Sequence, residues 1–532
     1  LPQREACNCT FLERARKGAR RADDQGVAIG IFRTKRVEAE MAETIEPEHR
    51  LKKNLSTLDL IIFGVAVIIG TGIFVLTGRQ AAVNAGPAIV ISFVVAGIVC
   101  GLAALCYAEF ASTVPVAGSA YTYSYATLGE IVAWIIGWDL VLELGLGAAV
   151  VARGWSAYLA NLLSLPAWVA GEKAIPDFGA IFIVALCTFL GVLGTKLSSR
   201  VSGVLVAIKV AVVLLVIVVG AFFIKFANYK PFIPPAEPTA QTGASVWHTP
   251  LSQLLLGIEP VHFGIPGILA AAAIVFFAYI GFDIVATTAE EVRNPQRDMP
   301  RGIIGSLVIC TLLYVLVSLV ITGMVHYTQL AVDAPLAHAF DVVGQPWVAK
   351  LISLGAICGI TTVVLVLLLG QVRVLFAMSR DGLLPIGMAK VHRTYGTPYL
   401  ITIGVGVVIA LLAAFIPLEK LSELVSIGTL FAFFVVALGV IVLRKTRPDL
   451  PRPFRVPWVP VLPILAALAS LWLMLNLPVD TWVRFAVWML LGFVIYFVYS
   501  YHHSRERPGV RYDREHAKTY EGPDPYKGPN IE

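Results

Sequence analysis

Charged residues are scarce in this 532-residue chain, at 14% of positions against about 25% in an ordinary soluble domain. Apolar residues make up 57%, and a soluble molecule of this size would have to expose much of that content. A lipid-facing surface removes the difficulty. Cysteine is rare too. Cys7 and Cys9 lie in a polar stretch, while Cys100, Cys106, Cys187, Cys310 and Cys358 sit inside apolar runs and read as small buried hydrophobes. No C-x-x-C pair and no Cys/His ligand spacing occurs, so no metal site is expected. There is no P-loop, which excludes ATP as the driving force, and no cofactor motif. No nucleophile–base pair is evident, so the chain does not read as an enzyme. The first forty residues lack an apolar stretch of the secretory-signal kind.

What is present is a recurring apolar run. A membrane helix needs about 20 mostly apolar residues. Twelve such segments are predicted, at 57–80, 87–113, 129–161, 179–195, 200–225, 266–289, 302–326, 348–378, 398–416, 421–443, 457–476 and 481–501. The expected fold class is therefore all-α and integral to the membrane. Residues 51–501 form the transmembrane domain. Residues 1–50 are expected to be a disordered, basic segment, of which 1–40, ahead of Met41, read as an upstream extension. Residues 502–532 read as a polar cytoplasmic tail.

The net charge of +6 could suggest a nucleic-acid partner, but its distribution argues otherwise. Lys196 and Arg200, Arg293 to Arg301, Arg380 to Arg393 and Arg444 to Arg455 fall in alternate loops, whereas the intervening loops hold Glu172, Asp177, Glu237, Asp333 and Asp341. Basic loops mark the cytoplasmic side. Both termini fall on that side, the partner of the surface is the lipid bilayer, and no nucleic acid is expected. Residues 226–265, rich in Pro and Thr, divide the first five spans (about 55–225) from the next five (about 266–443). Two additional helices follow (about 457–501).

Polar residues inside the runs carry the chemistry. Gly70-Thr71-Gly72 interrupts the first span and Tyr279-Ile280-Gly281-Phe282-Asp283 interrupts the sixth. Small residues in mid-span either bring helices close or break them. Paired interruptions at matching positions of two units point to a transporter site, since a broken helix presents free backbone groups to a ligand. Lys209 lies midway along the fifth span, too far from either end to snorkel, and an intramembrane charge is expensive unless it serves a purpose. It is a candidate for reversible protonation, or for a structural ammonium holding broken-helix carbonyls. Glu143, Asp283 and Glu109 are intramembrane carboxylates, each a candidate proton relay or a hydrogen-bonded structural acid. Arg153 is a candidate charge partner.

Several stretches together resemble one family. They are Gly64 to Phe74, Asn84 to Ala88, Cys106 to Phe110, Gly118 to Tyr121, Gly137-Trp138-Asp139, Tyr279 to Asp283, Glu290 to Pro295 and Met378 to Pro385. The combination resembles the amino acid–polyamine–organocation superfamily and, within it, the bacterial type of cationic amino acid transporter. The resemblance covers about residues 50–500. It implies a five-plus-five inverted repeat with discontinuous helices one and six, alternating access, and a site between helices one, three, six and eight. Carried over by position, Ile68, Ile69, Gly70, Thr71 and Gly72 would hold a substrate carboxylate. Phe277, Ala278 and Ile280 would offer carbonyls to its ammonium, and Phe277 would also gate the pocket. Lys209 would stand where sodium sits in sodium-coupled relatives, with the proton as coupling ion. Ile360 would line the side-chain pocket, and a branched apolar residue there departs from the cationic pattern.

The expectation is a multi-pass plasma (inner) membrane transporter importing small neutral amino acids such as alanine by proton symport. Exchange or facilitated movement, uptake of cationic amino acids, and a non-transporting amino acid sensor remain open alternatives at this point, as does a small accessory membrane subunit.

Overall fold

A computed structural model describes residues 55–504 apart from 114–118, 172, 195–198, 239–245, 258–260, 287, 289–291, 393, 449 and 451. The expectations for residues 1–50 with Cys7 and Cys9, for 505–532, and for Gly118, Glu172, Lys196, Glu290, Glu291 and Arg393 lie outside the described residues. So does the side chain of Arg200.

Among the described residues, eight helical stretches are long and apolar enough to cross a membrane, and four shorter apolar helices accompany them. Gly72–Thr113 holds both the second half of the first span and the whole second span, so twelve spans result. Span 1 comprises Thr57–Ile68 and, after a break, 72–85; span 2 is Ile89–Thr113, span 3 Glu130–Leu163, span 4 Phe178–Leu193 and span 5 Ser199–Ala221. Span 6 opens with Gly264–Val275, span 7 is Pro295–Met324, span 8 Pro346–Arg380, span 9 Tyr399–Phe415, span 10 Leu418–Thr446, span 11 Val461–Leu475 and span 12 begins at Val479. The third and eighth spans run to 34 and 35 residues, the long pair expected from sequence.

Local chemistry sets the ends. Ser56 and Asp59 form a capping box at the start of span 1, and Asp177 caps span 4 through Ala180 N–H. Spans 7 and 8 start on Pro295 and Pro346, where a missing N–H costs nothing. Span 4 stops at Gly194, whose φ of +65° favours glycine. Leu and Val side chains such as Val204, Val218, Val407, Leu411, Leu468 and Leu490 stand exposed along the outer helices, the surface a bilayer would cover.

Span 3 packs on spans 8 and 10, and span 7 packs on spans 1 and 2. An even number of crossings puts Leu55 and Ser504 at one end of the bundle, called here the terminal end. At the far end, Glu237–Pro238 (β1) pairs antiparallel with Val261–His262 (β2). Span 12 is fastened to span 3. Trp138 stacks between Trp134 and Trp488, at 5.7 and 4.4 Å, and the Trp138 and Trp488 indoles each donate to the other residue's carbonyl. The Glu130 carboxylate accepts hydrogen bonds from Tyr125, Tyr496 and Ser504.

Candidate functional site

Span 1 is regular up to Ile68. Ile69 then turns extended (φ −72°, ψ 101°), and winding resumes at Gly72 as a π-helical stretch. The N–H groups that open the second half have no carbonyl one turn back to bond. Span 6 breaks in the mirror fashion. After Val275 the chain tightens to a 3-10 turn over Phe276–Tyr279, Ile280 is extended (φ −60°, ψ 135°), and Gly281 takes φ +122° before Phe282–Val285 resumes the helix. Only glycine adopts that φ without strain. The two interruptions read from sequence are thus both helix breaks rather than packing glycines alone.

The breaks lie against each other. A Cβ on Gly72 would collide with Ala278, and one on Gly281 would lie 2.7 Å from Val67 Cγ1. Span 3 supports the crossing from a third side: a Cβ on Gly154 would collide with Thr71, Thr71 Oγ1 lies 3.3 Å from Val151 O, and Tyr158 donates to Phe74 O at 2.7 Å. Tyr314 of span 7 joins both breaks. Its hydroxyl lies 2.8 Å from Ile68 O and 2.8 Å from Ala278 O. One phenol carries one proton, so the hydroxyl satisfies these carbonyls in turn. Sequence reasoning missed Tyr314; the available signal was a hydroxyl-bearing ring in the middle of an apolar run.

Among the other candidates, Phe277 O already accepts Ile280 N–H at 3.2 Å, and both Phe276 and Phe277 are buried. Phe276 belongs to an aromatic cluster with Phe433, which also meets Tyr107 and Phe282. Ile360 is buried on span 8, where Thr361 accepts from the Trp155 indole of span 3 at 2.9 Å.

Lys209 is fully buried. Its ammonium donates to Ala66 O in the first half of span 1 at 2.6 Å and reaches Thr362 Oγ1 of span 8 at 3.4 Å. A single side chain of span 5 therefore touches spans 1 and 8 two to three residues ahead of the break. Toward the terminal end, Asp283 receives Gly281 N–H at 3.2 Å and closes the broken end of span 6. Glu143 lies within the electrostatic reach of Asp283 and Asp139. Among the described residues, both Asp139 oxygens and Glu143 Oε1 make no hydrogen bond.

Two other buried charges are held by ionic and backbone partners. Glu109 forms a two-pronged ion pair with Arg444 (2.9 and 2.6 Å) and also accepts Val456 N–H at 2.7 Å, tying span 2 to the loop after span 10. That carboxylate is fully engaged, which argues against the relay reading. Arg153 donates to Ala413 O, Ala414 O and Ala174 O, capping the last carbonyls of span 9. Beside it, Asp177 accepts from Ser156 and Ala180, and burial pushes its carboxyl up to about 6. At the far end Arg79 and Glu419 form an ion pair at 3.2 Å, and at the terminal end Tyr121 donates to Asp381 at 2.8 Å, joining two of the motif stretches.

Comparison with known proteins agrees with this architecture. The family described as "Amino acid permease" matches residues 55–496. The chain is 48% identical over 488 residues to the branched-chain amino acid permease BcaP of Bacillus subtilis (strain 168), covering 89% of this chain and 98% of that protein. It is 46% identical over 484 residues to the methylthioribose transporter of the same organism, with the same coverage. It is 40% identical over 429 residues to the vacuolar cationic amino acid transporter 4 of Arabidopsis thaliana, covering 79% of this chain and 68% of that one. A multi-pass membrane transporter rather than an enzyme, this chain belongs to the amino acid permease family of the amino acid–polyamine–organocation superfamily.

Proposed function

We propose that the protein imports neutral amino acids with small aliphatic side chains by proton symport and alternating access. The observation that carries this reading is the contact of two broken helices beside a fully buried lysine. A zwitterion presents one negative and one positive end. The opened N-terminus of the second half of span 1 suits the carboxylate, and the carbonyls ending the first half of span 6 suit the ammonium. Ile68 to Gly72 and Phe277, Ala278 and Ile280 supply these groups, and Phe277 covers them. The ammonium of the substrate would take Ala278 O, leaving the Tyr314 proton to Ile68 O. Ile360 adds an apolar wall that disfavours a cationic side chain, and the branched-chain permease relative is in line with that preference.

Lys209 supplies the coupling. As an ammonium it holds the Ala66 carbonyl and pins the first half of span 1. On losing its proton it keeps only a weak donor there, and span 1 is released. Glu143 and Asp283 lie on the terminal-end side, where a proton would leave. The breaks in spans 1 and 6 are the corresponding elements of a five-plus-five inverted repeat. In this reading both termini face the cytoplasm, which the basic loops support, and the membrane is the plasma membrane. A second substrate reading, methylthioribose, is motivated by the 46% identical relative; that sugar lacks both charged ends.

The test is uptake of radiolabelled alanine into proteoliposomes with and without an inward proton gradient, with leucine, arginine and methylthioribose as competitors. Gradient-driven accumulation blocked by leucine, and lost in Lys209→Ala while substrate binding persists, is expected. Unchanged gradient-driven accumulation by Lys209→Ala would refute the coupling role. Block by arginine or methylthioribose alone would move the substrate assignment.

A further inference from the structure

Span 1 contains four glycines, and three of them are jammed. A Cβ on Gly64 would meet Ser306 at 2.5 Å, one on Gly72 would collide with Ala278, and one on Gly78 with Pro335. Their lack of a side chain is explained by close packing. Gly70 is different. A Cβ there would find its nearest atoms at 3.6 Å, an ordinary van der Waals contact, and its φ is not in the left-handed region. Alanine would fit. Close packing does not require this glycine, because a Cβ would only touch its neighbour at ordinary contact distance.

The three atoms nearest that Cβ position all belong to Val363: Cγ1 and Cγ2 at 3.6 Å and Cβ at 3.9 Å. The rest of span 8 is committed elsewhere. Gly355 faces Val212, while Gly359 and Thr362 face Lys209, so one stripe serves span 5. Leu367 and Gly370 meet Gly147 and Leu144 of span 3 on a neighbouring face, and Thr361 reaches Trp155 of span 3 from another side of the helix. Val363 lies on the same face as Leu367 and Gly370, one turn earlier, where it meets Gly70 of span 1 instead, and it is three residues and so nearly one turn from Ile360.

We infer that Val363 is a specificity-determining residue, whose isopropyl group sits over Gly70 and limits the volume around the substrate's Cα. This rests on the proposed carboxylate seat at Gly70. A carboxylate accepting Gly70 N–H brings its attached carbon to the Val363 methyls. Val363 thereby reads substitution at Cα, and Ile360, one turn along, reads the length of the side chain.

The experiment is counterflow in proteoliposomes, which needs no proton gradient, comparing glycine, alanine, leucine and 2-aminoisobutyrate, the last being alanine with a second methyl on Cα. One methyl in an apolar pocket is worth about tenfold or more in selectivity. Wild type is expected to prefer alanine over 2-aminoisobutyrate by about that factor, and Val363→Ala to bring the ratio to within about threefold. Val363→Ile should lower alanine relative to glycine, which keeps the test alive if the smaller variant fails to fold. Ile360→Ala should raise leucine and leave the alanine to 2-aminoisobutyrate ratio alone. Gly70→Ala should stay folded and lose all four substrates. Ratios unchanged in both Val363 variants, with amino acids still carried, would overturn the inference and make Val363 a packing contact. Absence of any amino acid counterflow in wild type would overturn the functional reading first and this one with it.

Discussion

Replacing Tyr314 by Phe removes one oxygen and nothing else. The ring is fully buried and packs edge-on against Tyr279 at 5.3 Å and tilted against Phe93 at 5.6 Å, contacts that Phe retains. What is lost is the single proton serving Ile68 O and Ala278 O. Because only one of the two carbonyls is satisfied at any moment, the variant loses one hydrogen bond rather than two. A buried acceptor left without a donor costs about 1–3 kcal/mol. At about 1.4 kcal/mol per factor of ten, ~2 kcal/mol corresponds to roughly 30-fold. The phenol also hydrogen-bonds to both breaks, so the loss should fall on turnover. Counterflow rates and the unfolding temperature of the purified protein in detergent would be read side by side. The expected outcome is uptake reduced by about tenfold or more, with a fall of a few degrees in unfolding temperature. Wild-type uptake at wild-type stability would refute the reasoning, and lowered stability with full uptake would reduce Tyr314 to a packing peg.

Two further outcomes follow from charges outside the site. Glu109→Gln leaves Arg444, only 26% exposed, and Arg452 without their counter-ion; breaking such a pair costs about 3–5 kcal/mol. A large loss of thermal stability with an unchanged pH profile of uptake is expected, and a shifted pH profile at full stability would return Glu109 to the proton path. Asp177, raised from 3.8 to about 6, holds a proton in the folded state that the unfolded chain releases, so its contribution to stability falls as pH rises from about 4 to about 6 and stays low above that. Asp177→Asn keeps the cap acceptor without the charge. It should gain up to about 3 kcal/mol over wild type at pH 7.5, at about 1.4 kcal/mol per pKa unit, with the gain vanishing near pH 4. Equal thermal stability of the two proteins across that range would show that the buried carboxylate is not strained.

Much of this was legible because the signals were local. The break in span 6 needs glycine at Gly281, and Gly70 and Gly72 flank Thr71 in plain view in the sequence. Span limits follow from runs of apolar residues and from Pro, Gly and Asp at their ends. The charges were harder, because their meaning depends on partners far away in the chain. Glu109 and Arg444 stand 335 residues apart, and only the folded chain reveals that they neutralise each other. Arg153 likewise caps a helix 260 residues further on. Tyr314 and Asp139 were overlooked because an isolated polar group in an apolar run announces burial but not its direction. Val363 differs from the many other valines of the chain only in what it faces, and a single helix pattern does not say which neighbour occupies which side.

The fastening of span 12 to span 3 has a practical consequence. Two reciprocal indole bonds, a three-ring stack and a shared carboxylate make span 12 a fixture of the frame, although it follows the ten spans that carry both breaks. A spectroscopic label at His503, exposed and only one residue before Ser504, should therefore hold its distance to span 3 through the whole cycle. Such a label is a ready origin of coordinates. Distances measured from it to labels on spans 1 and 6 would report the travel of those spans directly, with no correction for movement of the reference.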